Sequence, residues 1–380
     1  MIEAKFIRNV LLKALALFVA ANLVFVALNP APPKAGGIMD LLGRLSAYNL
    51  LIPGRERFPF GENPTRSYNL SLYSLPAMFA SHEIAGAVKP PGEYRVILVG
   101  DSSVWGTLLR PEQTLAGQLN AANLLTCGGL HLRAFNLGYP TLSLTKDLMV
   151  LDQVNRYHPD MVVWLTTLES FPRVNQLASP IVANNPAIVS GLAARYKIQF
   201  DPNDPALARP NGWQRTLIGQ RRPLADLLRL QFYGIMWAAT GIDQEYPTDY
   251  QPAQRALDTD VTYHGWKPPA MPPDGLALDV LDAGMRAAGT TPVLLVNEPV
   301  LVSTGKNSDL RYDFFYPRWA YDQYRQLLAG LSQQKGWRYL DVWNLAPEGE
   351  FTNSAIHLTP AGEALLTQRV GVAILQEACH

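Results

Sequence analysis

A regular alternation of strand-like and helix-like segments begins near residue 93 and constrains the fold more than any other feature of this sequence. Five short apolar runs have the length and composition of buried strands: residues 95–100, 132–137, 161–166, 292–297 and 339–342. Helical patterns lie between and after them, at residues 112–125, 144–157, 276–288, 318–335 and 360–377. This alternation predicts an α/β fold, a doubly wound, flavodoxin-like parallel sheet of about five strands with helices on both faces.

The alternation stops between the third and fourth strands. Residues 171–273 are too many for a simple connection and predict an insertion that shapes the site. Within it, residues 223–242 are strongly apolar, but their polar side chains argue against a second membrane crossing; these are Asp226, Arg229 and Gln231. Two interpretations stay open. The segment is a helix packed on the core, or a helix at a membrane interface. In the second case its aromatic anchors are Phe232, Tyr233 and Trp237.

The N-terminus is apolar enough to cross a bilayer. Residues 10–28 contain only Lys13 and Asn22 as polar residues, and their number matches a membrane span. Positive charges on the N-terminal side predict a cytoplasmic N-terminus and an extracytoplasmic remainder. A cleavable signal peptide is the alternative, but Phe25, Val26 and Ala27 form a poor cleavage site. We therefore predict an anchor at residues 1–30, a linker and membrane-proximal segment at 31–92, and an α/β domain at 93–380.

Charge and cysteine content restrict the class of partner. Lysine plus arginine and aspartate plus glutamate number 32 each, so the chain has no basic field for nucleic acid. The only cysteines are Cys127 and Cys379. They can pair in an oxidising compartment, but the sequence does not show whether their Cα atoms come close.

A "GDSS" turn directly follows the first predicted strand. Ser102 in this turn is either a nucleophile or a hydroxyl that caps the next helix. It does not lie in a G-x-S-x-G elbow, because position 104 is Val104, and this excludes the ordinary α/β-hydrolase pattern. Ligands of such sheets bind beyond the carboxyl ends of the strands, where this turn lies.

Three motifs in this order resemble the SGNH/GDSL hydrolase superfamily. They are Gly100-Asp101-Ser102 after the first strand, Gly138 in "NLGYP" after the second strand, and His357 in "SAIHLTPAG" near the C-terminus. The resemblance covers residue 93 to the C-terminus, apart from the insertion. It implies that Ser102 attacks an ester carbonyl and that His357 accepts its proton. The backbone N–H groups of Ser102 and Gly138 are then the implied oxyanion donors.

Two positions depart from the pattern of the superfamily. Its G-x-N-D segment, which supplies an asparagine oxyanion donor, is replaced by "WLTTLES" after the third strand. Candidate substitutes for that donor are Thr166, Thr167 and Asn175. The aspartate of its D-x-x-H motif is replaced by Ser354. Candidates for orienting or supporting the histidine in its place are Asn353, Glu350 and Glu298, whereas Asp101 is expected to hold the turn.

The sequence therefore predicts a membrane-anchored, extracytoplasmic serine esterase or O-acyltransferase of a bacterial envelope. The resemblance implies acyl esters of cell-surface polysaccharide as substrates and a membrane-bound protein as acyl donor. No histidine has metal-ligand spacing, so no metal and no cofactor are expected. Two alternatives stay open: a lipid or thioester esterase, and a catalytically impaired glycan-binding or scaffold subunit of a membrane complex.

Overall fold

The computed structural model describes residues 2–29, 87–201, 204–207, 210–241 and 250–379, together with the single residues 38, 42, 51, 75, 78, 79, 82 and 84. Most of the predicted linker, residues 31–92, lies outside the described residues. Four of its described side chains are buried in the core of the domain, namely Leu75, Met78, Phe79 and Ile84. The domain core thus includes side chains that precede residue 93, and the domain boundaries stay predictions.

Five strands form one parallel sheet in the order β2-β1-β3-β4-β5. The strands are β1 (Glu93–Val99), β2 (His131–Asn136), β3 (Met161–Thr166), β4 (Val293–Asn297) and β5 (Arg338–Asp341). The predicted doubly wound sheet is confirmed. The order reverses direction between β1 and β3, which makes the carboxyl end of β1 the switch point where such sheets bind ligands.

Helices cover both faces of the sheet. In chain order the described helices are α1 (Ile2–Leu28), α2 (Ser102–Trp105), α3 (Leu115–Ala121), α4 (Leu144–Val154), α5 (Pro180–Ala183), α6 (Pro186–Tyr196), α7 (Arg221–Thr240), α8 (Leu278–Ala287), α9 (Arg318–Lys335) and α10 (Pro360–Ala378). Successive strand residues point to opposite faces. Ile97 and Val99 therefore join the core beneath α4, α8 and α9, whereas Val96 and Leu98 join the core beneath α3 and α10. Burial on both faces explains why the strands are continuous apolar runs.

Helix α3 is shorter than the predicted segment 112–125. Residues Pro111–Gln113 form a 3-10 turn, and the hydroxyl of Thr114 then accepts a hydrogen bond from the Gly117 N–H at 3.2 Å, so α3 begins only at Leu115. The helix ends at Ala121, and Asn123 follows with a φ of 49°. A side-chain cap and a left-handed residue therefore set bounds that apolar periodicity did not indicate.

Helix α1 is long and apolar enough, over Ala4–Leu28, to cross a membrane. Within the predicted insertion, α7 covers most of the apolar segment 223–242. The two cysteines are paired: Cys127, between α3 and β2, is bonded to Cys379 at the end of α10, with 5.3 Å between their Cα atoms. The disulfide therefore ties the C-terminus to the domain, which resolves a pairing that the sequence left open.

Candidate active site

The turn after β1 presents Ser102 at the start of α2. The carboxylate of Asp101 caps this helix by accepting a hydrogen bond from the Ser103 N–H at 2.8 Å. Gly100 allows the turn to pack closely, because a Cβ at this position would lie 2.5 Å from Cγ2 of Val104. The predicted role of Asp101 in holding the turn matches this geometry. Ser102 itself is not the capping residue, so its hydroxyl is available for another partner.

That partner is His357. Its Nε2 lies 2.9 Å from Oγ of Ser102, although 255 residues separate the two in sequence. The histidine loop is closed by Thr352, whose N–H and hydroxyl both donate to the carbonyl oxygen of His357, at 2.8 and 3.1 Å. A nucleophilic hydroxyl and an imidazole within hydrogen-bond distance form the basic arrangement of a serine acyl-transfer site.

The environment of His357 favours a neutral imidazole. Burial lowers the pKa of His357, while the nearby Asp101 carboxylate acts in the opposite direction. For Nε2 to accept the proton of Ser102, the ring proton must be on Nδ1. Nδ1 is buried, and no described residue provides a hydrogen-bond partner for it. The described residues therefore place an imidazole beside Ser102 but no carboxylate in hydrogen-bond contact with that imidazole.

The residues considered for this orienting role have other contacts. The hydroxyl of Ser354 accepts from the Ile356 N–H at 3.5 Å, and Asn353 is exposed. The carboxylate of Glu350 accepts a hydrogen bond from Thr359 Oγ1. None of these bonds orients His357, so the structure contains a Ser–His pair whose third member is missing among the described residues.

Gly138 packs against α2, the helix that begins at Ser102. A Cβ on Gly138 would lie 2.4 Å from the Trp105 amide nitrogen, so a side chain has no room there. Its N–H donates to Oδ1 of Asn136 at 2.9 Å. The predicted oxyanion donor is therefore occupied by a side chain that sequence reasoning missed. The Asn-x-Gly spacing after a strand is the signal for it, since an asparagine side chain readily accepts from the backbone two residues on.

The chain is similar to several solved structures at low sequence identity. No protein-family model and no curated protein matches the chain. A putative lipolytic protein of the G-D-S-L family from Desulfitobacterium hafniense DCB-2 is 10% identical, with 74% of this chain and 99% of that chain covered and a TM-score of 0.35. A carbohydrate acetylesterase from Sinorhizobium meliloti is 14% identical, with the same coverage and a TM-score of 0.35. A putative arylesterase from Agrobacterium tumefaciens str. C58 is 11% identical, with 74% and 98% covered and a TM-score of 0.32.

At these identities and TM-scores, the similarity carries no argument about activity. The arrangement of Ser102, Gly138 and His357 at one edge of the sheet is the one that the motifs predict.

A buried pair of carboxyl groups lies behind the nucleophile. Glu298, which follows β4, accepts a hydrogen bond from Ser103 Oγ and is 1% exposed. Burial, followed by the adjacent Asp101 carboxylate, raises the pKa of Glu298 well above its usual range. Neither Oε1 of Glu298 nor Oδ2 of Asp101 has a donor among the described residues. Two adjacent buried carboxyl groups resist ionising together, so the raised pKa of Glu298 favours its neutral form in this pair. Glu298 thus supports the serine turn rather than the imidazole.

A third carboxyl group, Glu363 on α10, lies near this pair. Burial raises the pKa of Glu363 to about 8. Ser103, Glu298 and Glu363 line a small cavity of about 10 Å³, which is no larger than a single water molecule needs. Among the described residues, no group of three or more His, Cys, Asp or Glu side chains is arranged to hold a metal ion. Glu298 and Glu363 are therefore two buried carboxyl groups with raised pKa values beside the serine turn.

The end of β3 does not supply the missing asparagine. Thr167 directly follows β3, the strand that pairs with β1. Its hydroxyl donates to Tyr316 Oη at 3.0 Å. The amide of Asn175 donates to Glu169 at 3.2 Å. Thr166 is buried. None of the three candidate substitutes is aimed at Ser102 by a hydrogen bond in the described part of the chain.

Glu169 instead fastens the insertion to this edge of the sheet. Its carboxylate accepts from Tyr263 Oη at 3.0 Å and contacts His264 Nε2 at 2.9 Å. The hydrogen bond to Glu169 raises the pKa of His264. The insertion therefore contacts the segment that follows β3, while its role in shaping the site stays a prediction.

Lys146 on α4 joins the two loops of the site and was also missed by sequence reasoning. Its side chain is completely buried, and its Nζ donates to the carbonyl oxygens of Gly100 at 2.5 Å and Tyr139 at 3.4 Å. Asp147 neutralises the ammonium group at 2.5 Å and accepts from Trp164 Nε1 at 3.1 Å. The Lys146 side chain thus connects Gly100, the first residue of the serine turn, with Tyr139, which directly follows Gly138.

Proposed function

We propose that this protein is a serine esterase or O-acyltransferase that acts through a Ser102–His357 pair and a covalent acyl-enzyme. The observation that carries the proposal is the distance of 2.9 Å between Oγ of Ser102 and Nε2 of His357. A serine hydroxyl becomes a useful nucleophile when a neutral imidazole accepts its proton. The lowered pKa of His357 keeps the imidazole neutral at neutral pH.

The reaction proceeds in two halves. Ser102 Oγ attacks the acyl carbonyl while its proton passes to Nε2 of His357, and the proton then passes to the leaving alcohol as the ester bond breaks. An acceptor then enters, loses its proton to His357 and attacks the acyl carbonyl. The bond between the acyl group and Ser102 Oγ breaks as His357 returns the proton to Oγ. Water gives hydrolysis, and a sugar hydroxyl gives transfer.

The negative charge on the carbonyl oxygen needs N–H donors. The Ser102 amide is the first of α2, and the first amides of a helix have no acceptor within the helix. The Gly138 amide is bonded to Asn136, so it serves as a second donor only when that bond opens. Because few N–H donors are in place for the oxyanion, the rate depends more on how well the acyl acceptor is positioned. This favours transfer to a sugar hydroxyl that is bound in the site over hydrolysis by water.

The proposed location is the outer side of a membrane, with α1 as the anchor. Lys5, Arg8 and Lys13 precede most of the apolar run, so the positive-inside rule places the N-terminus in the cytoplasm. The disulfide Cys127–Cys379 supports an oxidising, extracytoplasmic compartment for the domain. A site tethered there meets acyl esters of cell-surface polysaccharide and a membrane-bound acyl donor, which we propose as substrate and partner.

A fluorophosphonate probe, which reacts with activated serines, tests the nucleophile in the detergent-solubilised full chain. Labelling is expected in the wild-type protein and in Ser354→Ala, a matched control in the histidine loop. It is expected to disappear in Ser102→Ala and to fall strongly in His357→Ala. Incubation with an acetyl donor and glycan then separates the two reactions, since acetylated glycan indicates transfer and free acetate alone indicates hydrolysis.

A second candidate function is a catalytically impaired glycan-binding or scaffold subunit. It is favoured by the unpartnered Nδ1 of His357 and by the bond that occupies the Gly138 amide. Absence of probe labelling in the folded wild-type protein, with glycan binding unchanged in Ser102→Ala, would support this candidate over the enzyme.

A further inference from the structure

One face of α7 carries a stripe of exposed apolar side chains. Leu228, Phe232, Ile235 and Met236 are 61%, 65%, 40% and 57% exposed. At 100° per residue these four positions fall within an arc of about 100°, so they form a single continuous face. A contiguous apolar stripe of this kind on a protein surface marks a site of contact with a membrane or with another protein.

The start of α7 is joined to the candidate membrane helix. Ile218, three residues before α7, donates its N–H to Oδ1 of Asn22 in α1 at 3.2 Å. Asn22 and Phe25 are buried, whereas most other side chains of α1 are exposed. Helix α1 therefore docks against the insertion near its C-terminal end rather than serving as a free tether.

The position of the Asn22–Ile218 contact along α1 indicates how deep in the membrane α7 begins. Asn22 lies six residues before Leu28, the last residue of α1. At 1.5 Å per residue this distance is about 9 Å along the helix axis. Interfacial amphipathic helices are buried by about 5–10 Å into the boundary between headgroups and acyl chains. If α1 ends at the outer membrane surface, α7 begins at the depth that such helices occupy.

We infer that α7 lies in the outer leaflet beside α1 and that its apolar stripe contacts lipid. The proposed occupant is the bilayer, and not a protein partner, because Ile218, three residues before α7, is hydrogen-bonded to α1, the described helix with the most exposed large apolar side chains. Arg221 and Arg222 at the start of α7 are exposed, and arginine side chains there reach phosphate headgroups. Contact of both helices with the membrane fixes the orientation of the catalytic domain relative to the bilayer. A single transmembrane helix would leave that orientation free.

This inference rests on the anchoring role of α1 in the proposed function, and one experiment separates the two. The native cysteines are paired with each other, so an added cysteine is the sole reactive thiol without reductant. Three full-length variants carry it: Phe232→Cys on the stripe, Leu23→Cys on exposed α1 and Gln334→Cys on the exposed surface of α9. Each is labelled with bimane and reconstituted into phosphatidylcholine vesicles with or without lipid that carries a nitroxide near the headgroup.

The expected result is that nitroxide lipid reduces the emission at positions 23 and 232 by about half or more and leaves position 334 unchanged. Quenching at position 23 with none at position 232 would overturn the inference while leaving the anchor in place. No quenching at either position would overturn both. Leu228→Cys and Met236→Cys repeat the measurement along the stripe, so that a folding defect of one variant does not decide the outcome.

Discussion

The imidazole of His357 has one nitrogen 2.9 Å from Ser102 Oγ, while its other nitrogen has no partner among the described residues. A third residue normally fixes the tautomer of such a base. Here the loop closed by Thr352 holds the backbone of His357 instead, through two hydrogen bonds to its carbonyl oxygen. The Thr352 hydrogen bonds therefore position His357 beside Ser102, and burial lowers the pKa of the imidazole. The lowered pKa should be visible in the pH dependence of activity.

The acid limb of the pH–rate profile should reflect the lowered pKa of His357. Because the neutral imidazole is the active form, we expect activity toward a small acetyl ester to persist below pH 6.5, the ordinary pKa of histidine. Asp101→Asn keeps an oxygen for the helix cap but removes the charge that favours imidazolium. It should move the acid limb to still lower pH, measured as kcat/KM against pH. A limb that moves upward, or does not move, would contradict the assigned electrostatics.

Glu298 should act as a neutral hydrogen-bonding group and not as a charge. Glu298→Gln preserves the shape and one acceptor for Ser103, so it is expected to keep most of the activity at pH 7. Glu298→Ala leaves the half-buried Ser103 hydroxyl and the buried Asp101 carboxylate without this partner, and the free energy of unfolding should fall by about 1–3 kcal/mol. The measurement is kcat together with thermal unfolding for both variants. Equal losses in the two variants would show that the carboxylate charge is required.

The fold was predictable because its signals are local. Buried parallel strands are continuous apolar runs, and the bounds of β3 were predicted to the residue. The contact between Ser102 and His357 was accessible only through motif order, since 255 residues separate them. The sequence also indicated a long insertion, but not that Glu169 after β3 would fasten it by contacts with Tyr263 and His264.

Other features of the site depend on tertiary packing and have no local signal. The sequence offers Glu298 as a partner of the histidine. In the structure its carboxylate accepts a hydrogen bond from Ser103 instead, because the end of β4 lies beside the serine turn. Lys146 reads as an ordinary polar residue of an amphipathic helix, yet it is fully buried. A buried ammonium group is intelligible only when its acceptors, two carbonyl oxygens from separate loops, are known.

Glu363 should make the protein less stable as pH rises. Its pKa is about 8 in the folded state and lies near 4.5 in the unfolded chain, so between these values only the folded state holds the proton. Its contribution to stability is complete below pH 4.5 and declines as pH rises toward 8. Glu363→Gln removes this contribution, so the variant should lose less thermal stability than the wild type between pH 5 and 8. Parallel curves for the two proteins would exclude Glu363 as the titrating group.

The disulfide should stabilise the domain by closing a long loop. Cys127 and Cys379 are 252 residues apart in sequence, and disulfides typically contribute about 2–4 kcal/mol, mainly by restricting the unfolded chain. The double variant Cys127→Ser/Cys379→Ser should therefore unfold at a lower temperature, as should the wild type after reduction. Reduction of the double variant is the control and should have no effect. An unchanged unfolding temperature in the double variant would argue against this stabilisation.

Lys146 should couple the stability of the domain to the geometry of the site. Lys146→Met leaves Asp147 as a buried charge without its partner, and removal of one member of a buried ion pair costs about 3–5 kcal/mol. The double variant Lys146→Met/Asp147→Asn removes both charges, so its thermal stability should recover in large part. Its activity should not recover to the same degree, because the carbonyl oxygens of Gly100 and Tyr139 still lack the ammonium group that joins them. Full recovery of kcat in the stable double variant would show that Lys146 serves stability alone.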